Sequence, residues 1–523
     1  MDLYPHVDQS IWLRTCEKEI TTPIRGVVTG KIPEWVNGKL FRNGPGASKV
    51  GKDLEFGHLF DNFGLIHCFT IANASVTYQC RFVNSDYYKQ INSKRMLITD
   101  FGTKCTSDPC NTIFHRVKSI FNPSTTDNTM ITIYPFADEM YAFGESPVIH
   151  KINKETLKTE GSQNIYKHVG VVNHSAHPHI DYDGSVYNIG VSYTKYGRLV
   201  QNIVCFPKCE SNNADEMFKK AHVVAAIPAR KFLHPSYMHS FGITENYFIL
   251  VQQPLSISIL SFVKNKLLNE PIISALKWDK QRKTRIDVIC RKTGKLFKSF
   301  YTSSLFFLHV INQYENGDKI IIDICCYEDP SMIDCMYTEA LKSMQSNPDY
   351  AKLFRGRPKR FILDLKQTKE VETKILCNLG CETPQINYNK HLGRYYRYFY
   401  AINSDVDARY PGTIIKVDVE NGHTLTWCED NCYPSEPIFV ANNTKSPNTK
   451  EDDGILLASM VWGRTATNLI GLLVLNAQTM KEIARCVFVT PSVVPKCLHG
   501  WYTPNKRKNN ETTVINKKQC NHH

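Results

Sequence analysis

Short apolar runs recur along nearly the whole chain, among them NTMITIYPFADEMYAF, SVYNIGVSY, NYFILVQQP, KIIIDICCYED, YRYFYAINS, TIIKVDV and NLIGLLVLNAQTM. They are rich in β-branched and aromatic residues, and clusters of Gly, Pro, Asn and Asp cut them at strand length, so they predict strands rather than helices. The body is expected to be all-β. Strands spaced roughly every 10 to 20 residues suit the blades of a propeller or a large closed barrel, because closure removes exposed edges. No repeated signature gives a blade count. No shift in composition divides the chain either, so a single domain over residues 1–523 is expected, with a solvated loop at 442–454 and a loose tail at 505–523.

Two stretches break the pattern. In 104–124, Ile113, Phe114, Val117, Ile120 and Phe121 recur at helix-like offsets beside His115, Arg116 and Lys118. In 254–276 the apolar positions are Ile257, Ile259, Leu260, Phe262, Val263, Leu267 and Leu268. Basic, one-sidedly apolar helices of this kind suit the plane of a membrane interface, and they equally suit a packed cap.

Composition adds a field. The chain has 63 basic and 50 acidic side chains, a formal charge of +13, which favours anionic surfaces. Neither zinc-finger spacing nor a dense Lys/Arg tract accompanies that charge, so phospholipid is expected as the partner and nucleic acid is not. The opening residues lack a signal-peptide pattern and no apolar run reaches spanning length, which predicts a cytoplasmic chain at a membrane surface. The 18 cysteines, including Cys205 with Cys209 and Cys428 with Cys432, have no zinc-site partner pairs and are read as reduced thiols.

Eighteen histidines include a dense group, His168, His174, His177 and His179. On a strand His177 and His179 would share a face, although Pro178 argues for a strand entry. His239, His309 and His499 each lie in strand-like sequence, far apart in the chain. A propeller axis could gather such distant residues, and an all-imidazole set would suit Fe, Zn, Cu or Ni.

Several long segments, in order, resemble the carotenoid cleavage oxygenase family: IPEWVNGKLFRNGPG at 32–46, GHLFDNFGLIHCF at 57–69, SAHPHIDYDGSVYNIG at 175–190, PSYMHSFGIT at 235–244, CETPQINYNKHLGR at 381–394, YPSEPIFV at 433–440 and the LHG near the end. The resemblance implies a seven-bladed β-propeller with a cap of helices and loops over an axial non-haem Fe(II). It implies His177, His239, His309 and His499 as metal ligands, with Glu145, Glu382 and Glu436 hydrogen-bonded to ligand rings. His179, His174 and His168 match no ligand, and His58 with Asp61 is read as a packed turn. The substrate implied is a carotenoid, with O2 as co-substrate, in an apolar tunnel for which Phe143, Phe306, Phe307, Tyr327 and Trp501 are candidates. Cys110 matches a position that carries a lipid in animal members.

The opening DLYPHVDQSIWLRTCEKEI resembles the branch that cuts the central 15,15' bond of all-trans carotenoids and isomerises one half to 11-cis. Alternatives within the family are non-isomerising central cleavage, eccentric 9',10' cleavage, and hydrolysis of a retinyl ester with isomerisation. Gly144 stands before Glu145 where many relatives carry a hydroxyl residue, and the expectation is that it leaves more room near the metal. The sequence leaves the oligomeric state open.

Overall fold

Burial rises and falls strand by strand in a regular way. Gly454–Trp462 and Leu199–Phe206 are buried almost throughout, whereas Glu372–Ile375 is exposed along its length and His222–Pro228 is exposed at most positions. Middle strands covered on both faces and outer strands left to solvent are what radially packed antiparallel sheets produce. The computed structural model describes residues 2–94, 100–104, 126–268, 270–367, 371–442, 450–464 and 466–505.

Seven antiparallel sheets form the body. In chain order the innermost strands are His499–Pro504 in blade 1, Thr132–Phe136 in blade 2, Asn173–His174 with His179–Ile180 in blade 3, Gly242–Ile243 in blade 4, Phe306–Asn316 in blade 5, Glu382–Gln385 in blade 6, and Cys432–Pro434 with Ile438–Ala441 in blade 7. A separate hydrophobic core lies between each blade and the next. Phe41 and Ile133 share the first, Phe143 and Phe206 the second, Ile203 and Phe248 the third, and Ile286 and Phe307 the fourth. Ile321 with Phe399, Ile414 with Leu473, and Leu40 with Leu472 complete the ring. The last of these joins blade 7 to blade 1.

Both ends of the chain tighten that closure. The C-terminal strand His499–Pro504 pairs with Gly38–Asn43, and the N-terminal strand Val27–Gly30 pairs with Glu482–Val489 as the outer edge of blade 7. Opening the ring would therefore break two ladders and a core together.

Blade connections form the cap. Leu59 N–H donates to Met336 O, Thr338 N–H to Gly57 O, and Ile272 and Ile273 N–H to Asp100 and Phe101 O. Asp61 ties the same layer: its carboxylate accepts from Phe101 N at 2.7 Å and from Thr103 Oγ1 at 2.5 Å. His58 Nε2 lies 3.1 Å from Ile333 O. The pair expected to be a packed turn thus clamps three connections. Within 254–276 the structure has a helix, Ile259–Leu268, and a 3₁₀ turn, Ile272–Ala275; Leu255 and Ala275 are buried while Leu260, Val263 and Leu268 are exposed. Most of 104–124, with Cys110, lies outside the described residues, as does the tail beyond Asn505. No helix among the described residues is long and apolar enough to cross a membrane.

Candidate metal centre

Each blade sends one of the seven expected site residues toward the axis. His499 comes from blade 1, Glu145 from the turn after Glu139–Phe143 in blade 2, His177 from between the two inner strands of blade 3, and His239 from the entry to Gly242–Ile243 in blade 4. His309 lies on the inner strand of blade 5, Glu382 opens that of blade 6, and Glu436 sits between the two inner strands of blade 7. The chain separations that rule out a local metal motif are the separations between blades.

The four imidazoles converge. His177 Nε2 and His239 Nε2 are 3.0 Å apart, and the ring of His177 lies 4.9 Å from that of His309 and 4.8 Å from that of His499, centroid to centroid. Three of the rings turn Nδ1 outward to a carboxylate: His239 to Glu145 at 2.6 Å, His309 to Glu382 at 2.5 Å, and His499 to Glu436 at 2.9 Å. A carboxylate only accepts, so Nδ1 carries the proton and each Nε2 keeps its lone pair toward the centre. His309 Nε2 is buried and has no hydrogen-bond partner. Such an atom is costly unless something binds it.

Each carboxylate has a further donor. Tyr237 OH donates to Glu145 and Tyr327 OH to Glu382, both at 2.8 Å, while Glu436 accepts from Gln385 Nε2, Gly500 N and Arg42 Nη1. Burial pushes the Glu382 carboxyl up, but His309 beside it, with the Tyr327 hydroxyl and the Thr383 N–H, outweighs that and holds it below the ordinary value. Glu436 is lowered against burial in the same way by His499. Burial, and then the neighbouring imidazoles of His239, His499, His309 and His179, drive His177 far below the usual histidine range. His177 is thus neutral and available. A cluster of converging imidazole nitrogens, one of them buried without a partner, backed by carboxylates, fits a divalent first-row metal.

Sequence comparisons place this geometry. The model of the retinal pigment epithelial membrane protein family matches residues 13–504. The chain belongs to that family. Among relatives of this family member, the carotenoid isomerooxygenase of Galleria mellonella is 51% identical, covering 96% of this chain and 98% of its own. That of Drosophila melanogaster is 43% identical over 96% and 94%. The β,β-carotene 15,15'-dioxygenase of Gallus gallus is 34% identical over 95% and 98%. In structure, a variant of the Synechocystis apocarotenoid oxygenase superposes with a TM-score of 0.78 at 22% identity, covering 95% of this chain and 99% of that one.

The other candidates of this carotenoid oxygenase-family chain are placed as follows. Phe143 packs against Phe136 and His174, Phe307 lies in the core between blades 4 and 5, and Phe306 lies beside Tyr327 and Met332. Tyr327 is the Glu382 partner. Trp501 packs tilted against Tyr134 and edge-on against Tyr388. A narrow cavity of about 80 Å³ runs from the histidine ring past Pro178, Phe241, Ile386, Tyr134 and Tyr388. His179 is fixed by Phe241 O at 2.8 Å and Tyr388 OH at 3.2 Å, and His174 by Ser175 O at 2.8 Å.

Gly144 calls for a correction. A Cβ there would overlap the carbonyl oxygen of Asn128, so its bareness admits a neighbouring backbone and opens no space at the metal. Sequence reasoning passed over Tyr237 and Arg42. Tyr237 stands two residues before His239, a spacing that would have put both on one face of an extended segment.

Proposed function

We infer that this protein is a carotenoid isomerooxygenase: it splits the central 15,15' double bond of an all-trans carotenoid with O2 and releases one half as the 11-cis isomer. The observation that carries the reading is the axial ring of four imidazoles braced by three carboxylates, in a chain 51% identical to a carotenoid isomerooxygenase over nearly its full length. Oxidation by O2 needs a redox-active metal, which excludes zinc, and the nitrogen-donor set suits iron. His177, His239, His309 and His499 hold ferrous iron, which when bound supplies the activation of O2.

The balance is simple. Each carbon of the broken double bond takes one oxygen atom, giving two aldehydes with no further reductant. Glu145, Glu382 and Glu436 hold the imidazole tautomers so that Nε2 faces inward, and hydrogen bonds from Tyr237, Tyr327, Gln385 and Arg42 keep those carboxylates from swinging. Twisting one polyene arm strains the substrate, and burying the remaining apolar length offsets that strain.

Such a substrate resides in lipid. The charge of +13 and the exposed Leu260, Val263 and Leu268 beside the cap support attachment to a membrane surface, weakened by salt to the extent that charge drives it. The deciding experiment is aerobic incubation of iron-loaded protein with an all-trans carotenoid in detergent, resolving products by length and geometry. One 11-cis and one all-trans C20 aldehyde are expected. Two all-trans aldehydes would remove the isomerising step, unequal lengths would move the cut to an eccentric bond, and turnover of retinyl ester without O2 would overturn the oxygenase reading.

A further inference from the structure

Arg42 is fully buried on Gly38–Asn43 of blade 1, and its whole guanidinium is used beside the metal ring. Nη1 donates to Glu436 Oε2 at 3.2 Å and to Glu436 O at 3.1 Å, Nη2 donates to Leu498 O at 2.7 Å, and Nε faces Cys497 Sγ at 3.4 Å. The ladder that closes the propeller sets this up, pairing Asn43 with His499 and Arg42 with Gly500. Glycine is required at 500 because a Cβ there would overlap the backbone carbonyl oxygen of Phe41, and Arg42 Cδ at 2.6 Å and Nη1 at 2.9 Å crowd the same space. Closure, the metal ligand and the cation are therefore one piece of structure.

The three carboxylates are not supported alike. Neutral tyrosine hydroxyls serve Glu145 and Glu382, whereas Glu436 carries the one Arg or Lys cation paired with any of the three among the described residues. Lys496, the other buried cation nearby, donates to Pro434 O and Ser435 Oγ. Three carboxylates around a divalent metal with four neutral ligands leave one negative charge in excess, and Arg42 cancels it. In a buried, weakly polarisable site a charge this near acts on the metal with little screening.

We propose that Arg42 is a positioning residue that completes the charge balance of the metal centre and so holds its iron in the divalent state. The inference rests on the iron reading above. Without the guanidinium, the extra positive charge of Fe(III) would be compensated in full, and oxidation would be favoured.

The test is redox titration of iron-loaded full-length protein, with Fe(III) read by electron paramagnetic resonance, in the parent, Arg42→Gln, Arg42→Lys, Glu436→Gln and the Arg42→Gln/Glu436→Gln double variant. At a fixed potential Arg42→Gln should raise the Fe(III):Fe(II) ratio at least tenfold, a fall of about 59 mV in midpoint for a one-electron couple. Glu436→Gln should move it the other way, while Arg42→Lys and the double variant should stay near the parent. A purely structural role would make the two single changes add instead of cancel. An unshifted Arg42→Gln overturns the proposal. If Arg42→Gln holds no iron, the double variant decides: a parent-like midpoint supports the proposal, and a shifted midpoint or lost iron overturns it. A parent protein that binds no iron would defeat the functional reading itself, which separates the two failures.

Discussion

His177 Nε2 and His239 Nε2 face each other at 3.0 Å, on connecting segments beside the inner strands of two neighbouring blades. His239 has given its proton to the Glu145 side, so its Nε2 presents a bare lone pair. A cation between the rings turns that electron-rich contact into ligation. Metal should therefore stabilise the fold strongly, because the unfolded chain has no such site. At a thousandfold excess over Kd the gain is about 4 kcal/mol. Thermal melts under argon with and without Fe(II) would measure it, and His309→Ala should lose most of the increment. An equal melting temperature with and without saturating metal would show that the ring is not a metal site.

The Glu382–Tyr327 pair gives a prediction at one remove from the metal. Glu382→Gln keeps the shape but no longer obliges His309 Nδ1 to carry the proton, and metal affinity should fall about 10- to 100-fold. Tyr327→Phe leaves one oxygen of a buried carboxylate without its donor, at a cost of about 1–3 kcal/mol in stability and a smaller loss of affinity. Competition with a chelator of known affinity, beside urea denaturation, separates the two quantities. Unchanged iron loading together with unchanged turnover in Glu382→Gln would remove the glutamates from the mechanism.

Much of this was legible in the sequence, for uneven reasons. Strand-length apolar runs gave the all-β class, because the middle strands of every blade are buried on both faces. Blade number was not legible: blade 7 has six strands, blades 1 and 3 have five, and the rest have four, so no period survives in the chain. The histidines and glutamates could be located through long motifs in order. Their partners could not. Arg42 reaches Glu436 only because residue 42 pairs with residue 500, a register that exists only once the ring has closed. Tyr327 is a tunnel candidate as an aromatic close to the site motifs; that its hydroxyl holds Glu382 is visible only in the fold.

Buried histidines away from the ring predict a pH dependence. His67 lies fully buried near Arg42, with Nδ1 2.8 Å from Tyr78 OH, and burial, then the Arg42 charge, push it down to about 3 from an ordinary 6.5. As pH falls below about 6.5 the unfolded chain takes up the proton first. His67 therefore subtracts stability, by about 1.4 kcal/mol per pH unit, from about pH 6.5 down toward pH 3, and subtracts nothing above pH 7. His67→Gln, which keeps a polar group for Tyr78, should flatten the acid limb by that slope. Urea midpoints of both proteins between pH 5 and 7.5 would test this, and parallel curves would contradict it.

Gly144 joins packing to chemistry in one residue. The carbonyl of Asn128 occupies the place a side chain would take, and Glu145 follows immediately in the chain. Gly144→Ala should therefore force the two backbone segments apart, costing about 1–3 kcal/mol as overpacking does. The displaced segment carries Glu145, so its 2.6 Å contact to His239 Nδ1 should loosen and iron content should fall with stability. Gly144→Ser should behave as badly, because the clash begins at Cβ and a hydroxyl does not relieve it. If instead both variants kept parental stability and iron content while the product ratio changed, the position would be acting on space at the substrate, and the backbone-packing account would be wrong.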